Sequence, residues 1–180
     1  MTKDYRGCEY LQSFTQLYMD YHKDVFNFLL RLSGYQNILA EELTQETFYQ
    51  AITSFAKFKG KCQVKTWLYQ IAKNVFYQYL KKKKRSESLF DTLTFSHDES
   101  PALSPQKQLE NKEIVRVIQD ILNTFDKKTK DVMLYRLYSD LAYSQISSLL
   151  KISESSAKVI FFRGKVALQK KLQEVYAYEI

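Results

Sequence analysis

The chain has 180 residues, 45% hydrophobic and 15% aromatic, enough for packed cores in one large or two small domains and too apolar for disorder throughout. A formal net charge of +7 suits a polyanionic partner without identifying it. Two cysteines, Cys8 and Cys62, exclude a disulfide framework, fit a reducing cytoplasm and have no neighbours at metal-ligand spacing, while no apolar run reaches membrane-spanning length.

Only 4 glycines and 2 prolines occur and no alternating strand pattern competes, so the expected fold is all-α. Phe14, Leu17, Tyr18, Tyr21, Val25, Phe28, Leu29 and Leu32 recur every three or four residues, predicting a first helix over 11–32 that Gly34 ends. A second helix over 38–55 gathers Ala40, Thr44, Phe48, Ala51, Ile52 and Phe55 on one face. Glu42, Gln45, Glu46, Tyr49 and Gln50 share the other. Residues 1–85 carry 14 basic and 7 acidic side chains, and carboxylates in so basic a segment repel DNA. That face fits either a basic protein surface or plain solvent.

After the Lys59-Gly60-Lys61 turn, a third helix over 64–83 is expected to bury Val64, Leu68, Ile71, Ala72, Val75 and Tyr79. It leaves Trp67, Gln70, Lys73, Asn74, Tyr77 and Lys81 along one strip. Rings stack on base faces, amides bond base edges and lysines hold phosphates, so this strip suits unpaired bases. A Trp at a helix start also fits a core or rim position, and the Lys81 to Arg85 run fits an ordinary helix end favoured by the dipole.

Residues 86–107 lose helical periodicity, carry 4 acidic and 1 basic side chain and hold both prolines, Pro101 and Pro105: a flexible acidic linker. It divides an N-terminal domain, 1–85, from a C-terminal one, 108–180. Spacing resumes with Leu109, Ile114, Val117, Ile118, Ile121 and Leu122. Asp126 is the expected N-cap of a helix reaching Leu137, and two more helices follow over 143–151 and 154–174.

On the last helix Ala157, Phe161, Gly164 and Leu168 form a packing face with Ile160 at its border. Lys158, Val159, Phe162, Arg163 and Lys165 occupy the other. Ser153 can cap the first turn, and Ser155 and Ser156 keep it slim, as major-groove insertion requires. A solvated cationic face is the bland alternative. Ile146, Leu149 and Leu150 on the preceding helix favour a helix-turn-helix, and solvation alone leaves an exposed Phe162 unexplained.

Three motifs in order, Ala40-Glu-Glu-Leu-Thr-Gln-Glu-Thr-Phe48, Lys65-Thr-Trp-Leu-Tyr-Gln-Ile-Ala-Lys-Asn74 and the pair Leu141-Ala-Tyr-Ser-Gln-Ile with Ile152-Ser-Glu-Ser-Ser-Ala-Lys, resemble the bacterial sigma factors of the extracytoplasmic-function group. The resemblance runs from Phe14 to Leu172. It implies a non-enzymatic transcription factor that binds core RNA polymerase, recognises promoter DNA and helps melt it for a stress-response gene set. By the same resemblance, Glu42, Leu43, Gln45, Glu46 and Phe48 dock polymerase or shape the docking helix, and Tyr49 lies on that face. Phe58, Lys59, Gly60, Lys61, Thr66, Trp67, Lys73 and Asn74 would capture the minus-ten element, joined on the same strip by Gln70 and Tyr77. Arg136, Ser155, Ser156, Lys158, Phe162, Arg163 and Lys165 would read the minus-thirty-five duplex, with Val159 on the same face. The linker would thread through polymerase, and an anti-sigma factor would restrain the protein. Ala142, Val159 and Ile160 stand where the family often has serine, serine and arginine, which removes a helix cap and polar contacts.

Two rivals compete. A one-component helix-turn-helix regulator would bind duplex operator DNA without polymerase. A nucleic-acid enzyme fares worse: His22 and His97 lie apart, no carboxylate cluster suggests a metal, and no glycine-rich phosphate loop exists. No cofactor, metal or catalytic residue is expected, and the protein should act in the cytoplasm without inserting in a membrane.

Overall fold

The computed structural model describes residues 5–55, 58–87 and 105–177. Among them are seven helices and no strand: α1 (Tyr5–Leu32), α2 (Asn37–Ser54), α3 (Val64–Glu87), α4 (Pro105–Asn123), α5 (Lys127–Tyr138), α6 (Tyr143–Leu150) and α7 (Glu154–Ala177). These fall into two compact units, one drawn from Met1–Lys61 and Leu68–Asp98, the other from Cys62–Trp67 and Glu99–Ile180. Most of the expected linker, 88–104, lies outside the described residues. α4 begins at Pro105, within the segment read as linker, because proline's fixed φ and missing N–H suit the first helical position.

In the first unit the stripe on α1 closes over Val25, Phe28, Leu29 and Leu32, each at most 1% exposed. α1 ends where Gly34 takes φ 72° and Tyr35 φ 63°, and the Tyr35 N–H reaches back to the Leu30 carbonyl at 2.8 Å. That reverse bond satisfies a carbonyl which the helix end would otherwise leave open. α2 packs on α1 through Ala40, Leu43, Thr44, Thr47, Phe48 and Ala51. The Thr44 and Thr47 hydroxyls avoid a desolvation penalty by donating to the carbonyls of Ala40 and Leu43, both at 2.7 Å. Phe48 enters an aromatic group on α1, its ring centroid 4.8 Å from Tyr18 and 6.3 Å from both Phe14 and His22.

α3 differs from its expected orientation. Leu68, Ala72 and Val75 are buried, but so are Tyr69 and Phe76, while Val64, Ile71 and Tyr79 are half-buried. The buried arc is thus turned toward these two rings, each of which buries a large apolar area. Tyr69 packs against Phe28 at 4.8 Å.

In the second unit α7 packs on α4, α5 and α6. Asp126 caps α5, accepting from the N–H groups of Lys128 at 2.9 Å and Thr129 at 3.1 Å. The Thr129 hydroxyl first, then these backbone donors, hold the carboxyl below its ordinary range. α5 and α7 approach closely at Gly164, where a Cβ would stand 2.7 Å from the Met133 Sδ. The α6–α7 turn passes through Lys151 at φ 55°, and the Ile152 N–H reaches back to the Ser147 carbonyl at 3.0 Å.

Candidate nucleic-acid interface

The recognition-type face of α7 forms as its periodicity predicts. Ala157 and Leu168 are buried at 0% and 7%, whereas Lys158, Val159, Phe162, Arg163 and Lys165 are all exposed, Phe162 at 67%. An aromatic ring that far into solvent among cations keeps its unfavourable water contact and gains no core, so it suits contact with an apolar group such as a thymine methyl. Ser153 caps the helix: its Oγ accepts from the Ser156 N–H at 3.1 Å and lies 3.0 Å from the Ser155 hydroxyl. Ser155 and Ser156 are exposed at that end. Lys158 is paired with Glu154 one turn earlier at 2.7 Å, so its charge is partly met within the protein.

α6 starts at Ala142, which has no side-chain oxygen to cap the helix. Half of a capping box survives, because the Ala142 N–H donates to Gln145 Oε1 at 2.8 Å. Arg136, exposed on α5, donates to the Leu141 carbonyl at 3.1 Å, and its guanidinium carbon lies 4.8 Å from the centre of the Tyr143 ring. The Lys158 ammonium lies 5.9 Å from the same ring, and Phe161 meets that ring edge-on at 6.0 Å. Tyr143 was not singled out from the sequence. An aromatic opening the helix before a cationic reading helix was the available signal, but its neighbours come from two other helices, α5 and α7, whose register against α6 the sequence does not give.

On α3 the strip read for unpaired bases is only partly exposed. Gln70, Asn74 and Lys81 face solvent, and Trp67 and Tyr77 are half-buried. Lys73, expected on the solvent strip, is instead buried at 9%, a consequence of the shifted buried arc. Thr66 is buried at 1% and its hydroxyl has no hydrogen-bond partner. In the preceding turn Lys59, Gly60 and Lys61 are exposed and Phe58 is half-buried against Phe55 at 6.3 Å. Gly60 takes φ +64°, which a side chain would strain even though space around it is open. Burial pushes the Cys62 thiol up.

The outer face of α2 separates in the same way. Glu42, Gln45, Glu46 and Tyr49 are exposed, Tyr49 at 64%, whereas Leu43 and Phe48 are buried at 5% and 3%. The last two therefore hold the helix, and the first four are available to a partner. Among the described residues no group of His, Cys, Asp and Glu could hold a metal ion, and no helix is long and apolar enough to cross a membrane.

An exposed acidic face on α2 and an exposed cationic face on the second helix of a helix-turn-helix suit a DNA-binding class of protein that also meets a protein partner, and residues 17–86 match the family model for Sigma-70 region 2. The chain is 33% identical over 154 residues to the ECF RNA polymerase sigma factor SigM of Bacillus subtilis (strain 168), covering 86% of this chain and 91% of that one. It is 28% identical to the ECF RNA polymerase sigma factor SigX of the same organism over 166 residues, 90% of this chain and 84% of the other. Among solved structures, the sigma factor RpoE from Bartonella quintana, crystallised with the anti-sigma factor NepR, shares the fold at a TM-score of 0.58 and 20% identity. That match covers 90% of this chain and 98% of RpoE. The chain belongs to the ECF sigma factors of the sigma-70 family: non-enzymatic factors that act with RNA polymerase in transcription initiation. Family membership sets aside the operator-binding regulator and the nucleic-acid enzyme.

Proposed function

We propose that this sigma factor directs core RNA polymerase to a particular promoter class through three surfaces. Glu42, Gln45, Glu46 and Tyr49 of α2 meet a basic surface of polymerase, and Leu43 and Phe48 hold that helix in place. Phe58 to Lys61, with Trp67, Gln70, Asn74 and Tyr77, take the minus-ten element and its unpaired bases, supported from beneath by Thr66 and Lys73. Arg136, Ser155, Ser156, Lys158, Val159, Phe162, Arg163 and Lys165 take the minus-thirty-five duplex. Residues 1–85 and 108–180 act as separate DNA-contacting domains joined by the acidic 86–107 segment, and the protein works in the cytoplasm beside polymerase.

The observation that carries this reading is the α7 face: three exposed cations around a Phe162 that is 67% exposed, on a helix whose serine-capped start can enter a groove. An anti-sigma partner fits the same reading, since RpoE, with the same fold, was crystallised with one. In vitro transcription with purified core enzyme and genomic DNA tests the proposal. Added protein should produce new promoter-dependent start sites for a stress-response gene set, and a transcript pattern identical to that of core enzyme alone would sink it.

A further inference from the structure

Arg136 on α5 and Lys158 on α7, 22 positions apart in the sequence, both come to the ring of Tyr143 at the start of α6. The guanidinium carbon stands 4.8 Å and the ammonium 5.9 Å from the centre of the Tyr143 ring, both within the range where a ring face attracts a cation. Arg136 uses a donor on the Leu141 carbonyl at 3.1 Å, and a guanidinium has five, so it can also take an oxyanion. Long cationic side chains on a surface lose rotamer freedom when they bind, and a ring that already holds them reduces that loss. Phe161, edge-on at 6.0 Å, fixes the ring in turn.

We infer that Tyr143 is a positioning residue that holds Arg136 and Lys158 as a paired site for backbone phosphate of the upstream promoter duplex. The inference rests on the proposed minus-thirty-five role of this face and extends it: the ring, rather than the phenol hydroxyl, is the working part. Glu154, 2.7 Å from Lys158, is the anion that phosphate displaces from the ammonium.

The test uses holoenzyme assembled from core polymerase and the full chain, bound to a promoter fragment recovered by the transcription experiment, with affinity measured across a salt series. Tyr143→Phe keeps the ring and should bind as the parent does. Tyr143→Leu removes the ring and should weaken binding about two- to fivefold. It should also flatten the salt dependence, in the direction of the unit slope lost when a single phosphate contact is deleted. In an Arg136→Ala, Lys158→Ala background, Tyr143→Leu should have no further effect. An equal loss from Tyr143→Leu in that background would make the ring a packing residue only and overturn the inference, as would an equal loss from Tyr143→Phe. Arg136→Ala and Arg163→Ala separate the two levels. If neither changes affinity, the face is not a DNA surface and both readings fall. If both weaken binding while Tyr143→Leu does not, only the role of Tyr143 falls.

Discussion

Gly164→Ala should destabilise the C-terminal unit, against the usual preference of helices for alanine. Within a helix that substitution ordinarily stabilises by about 0.5–1 kcal/mol. Here the new methyl would stand 2.7 Å from the Met133 Sδ, 2.9 Å from its Cγ and 3.4 Å from the Thr129 Cγ2. Met133 is 0% exposed, so either its thioether shifts among packed neighbours or α5 and α7 move apart by several tenths of an ångström. Overpacking of this kind costs about 1–3 kcal/mol, which leaves a net loss of about 1 kcal/mol after the helix gain is subtracted. For a unit of this size that lowers the melting temperature by about 4–8 °C. Thermal denaturation of the full chain followed by circular dichroism, with Met133→Ala and the double variant alongside, checks it. The double variant should be less destabilised than the two singles added together, because truncating Met133 removes the clash. A Gly164→Ala protein that melts at or above the parent temperature would refute the argument that Gly164 is there for close approach.

Asp126→Ala should lower stability by about 1 kcal/mol at neutral pH by removing the α5 cap. Because the folded-state pKa of Asp126 is lowered, its contribution is fully present above the ordinary value of 3.8 and is lost as the pH falls through the folded value. The gap between parent and variant in urea denaturation should therefore narrow in strong acid, and a constant gap across that range would contradict the capping role. Glu154→Gln frees Lys158 from its 2.7 Å pair and removes a negative charge beside the reading face. Holoenzyme carrying it should bind upstream duplex about two- to fivefold more tightly at low salt, with the gain fading as salt rises. Unchanged affinity in gel-shift titration would place Glu154 away from the DNA. Trp67→Ala should slow promoter opening by about tenfold or more, in line with the worth of base stacking, while closed binding falls less. Equal losses in permanganate footprinting and gel shift would make Trp67 structural.

How much of this was legible in the sequence depended on how sharply a helix divides its residue types. α7 sets small and apolar Ala157, Gly164 and Leu168 against Lys158, Arg163 and Lys165, and both faces emerged as its spacing predicted. Asp126 and Ser153 were readable as caps because a cap is a local matter of side-chain oxygen and nearby N–H groups. α3 was harder. Tyr69, Phe76, Trp67 and Tyr77 are all amphipathic rings, and periodicity cannot rank which of them the neighbouring Phe28 will cover. Lys73 went to the wrong side as a result. The start of α4 was hidden because Pro105 has opposite meanings inside a helix and at its first position.

The left-handed turn at Lys151 bears on any survey of tolerated substitutions in this chain. With φ at 55°, that position favours glycine or asparagine through backbone shape alone, whatever the side chain touches. Enrichment of those residue types there in a selected library would thus report the hinge angle between two helices rather than a readout of base sequence. Position 163, in the interior of α7, carries no such backbone bias, and its tolerance profile is the cleaner measure of recognition.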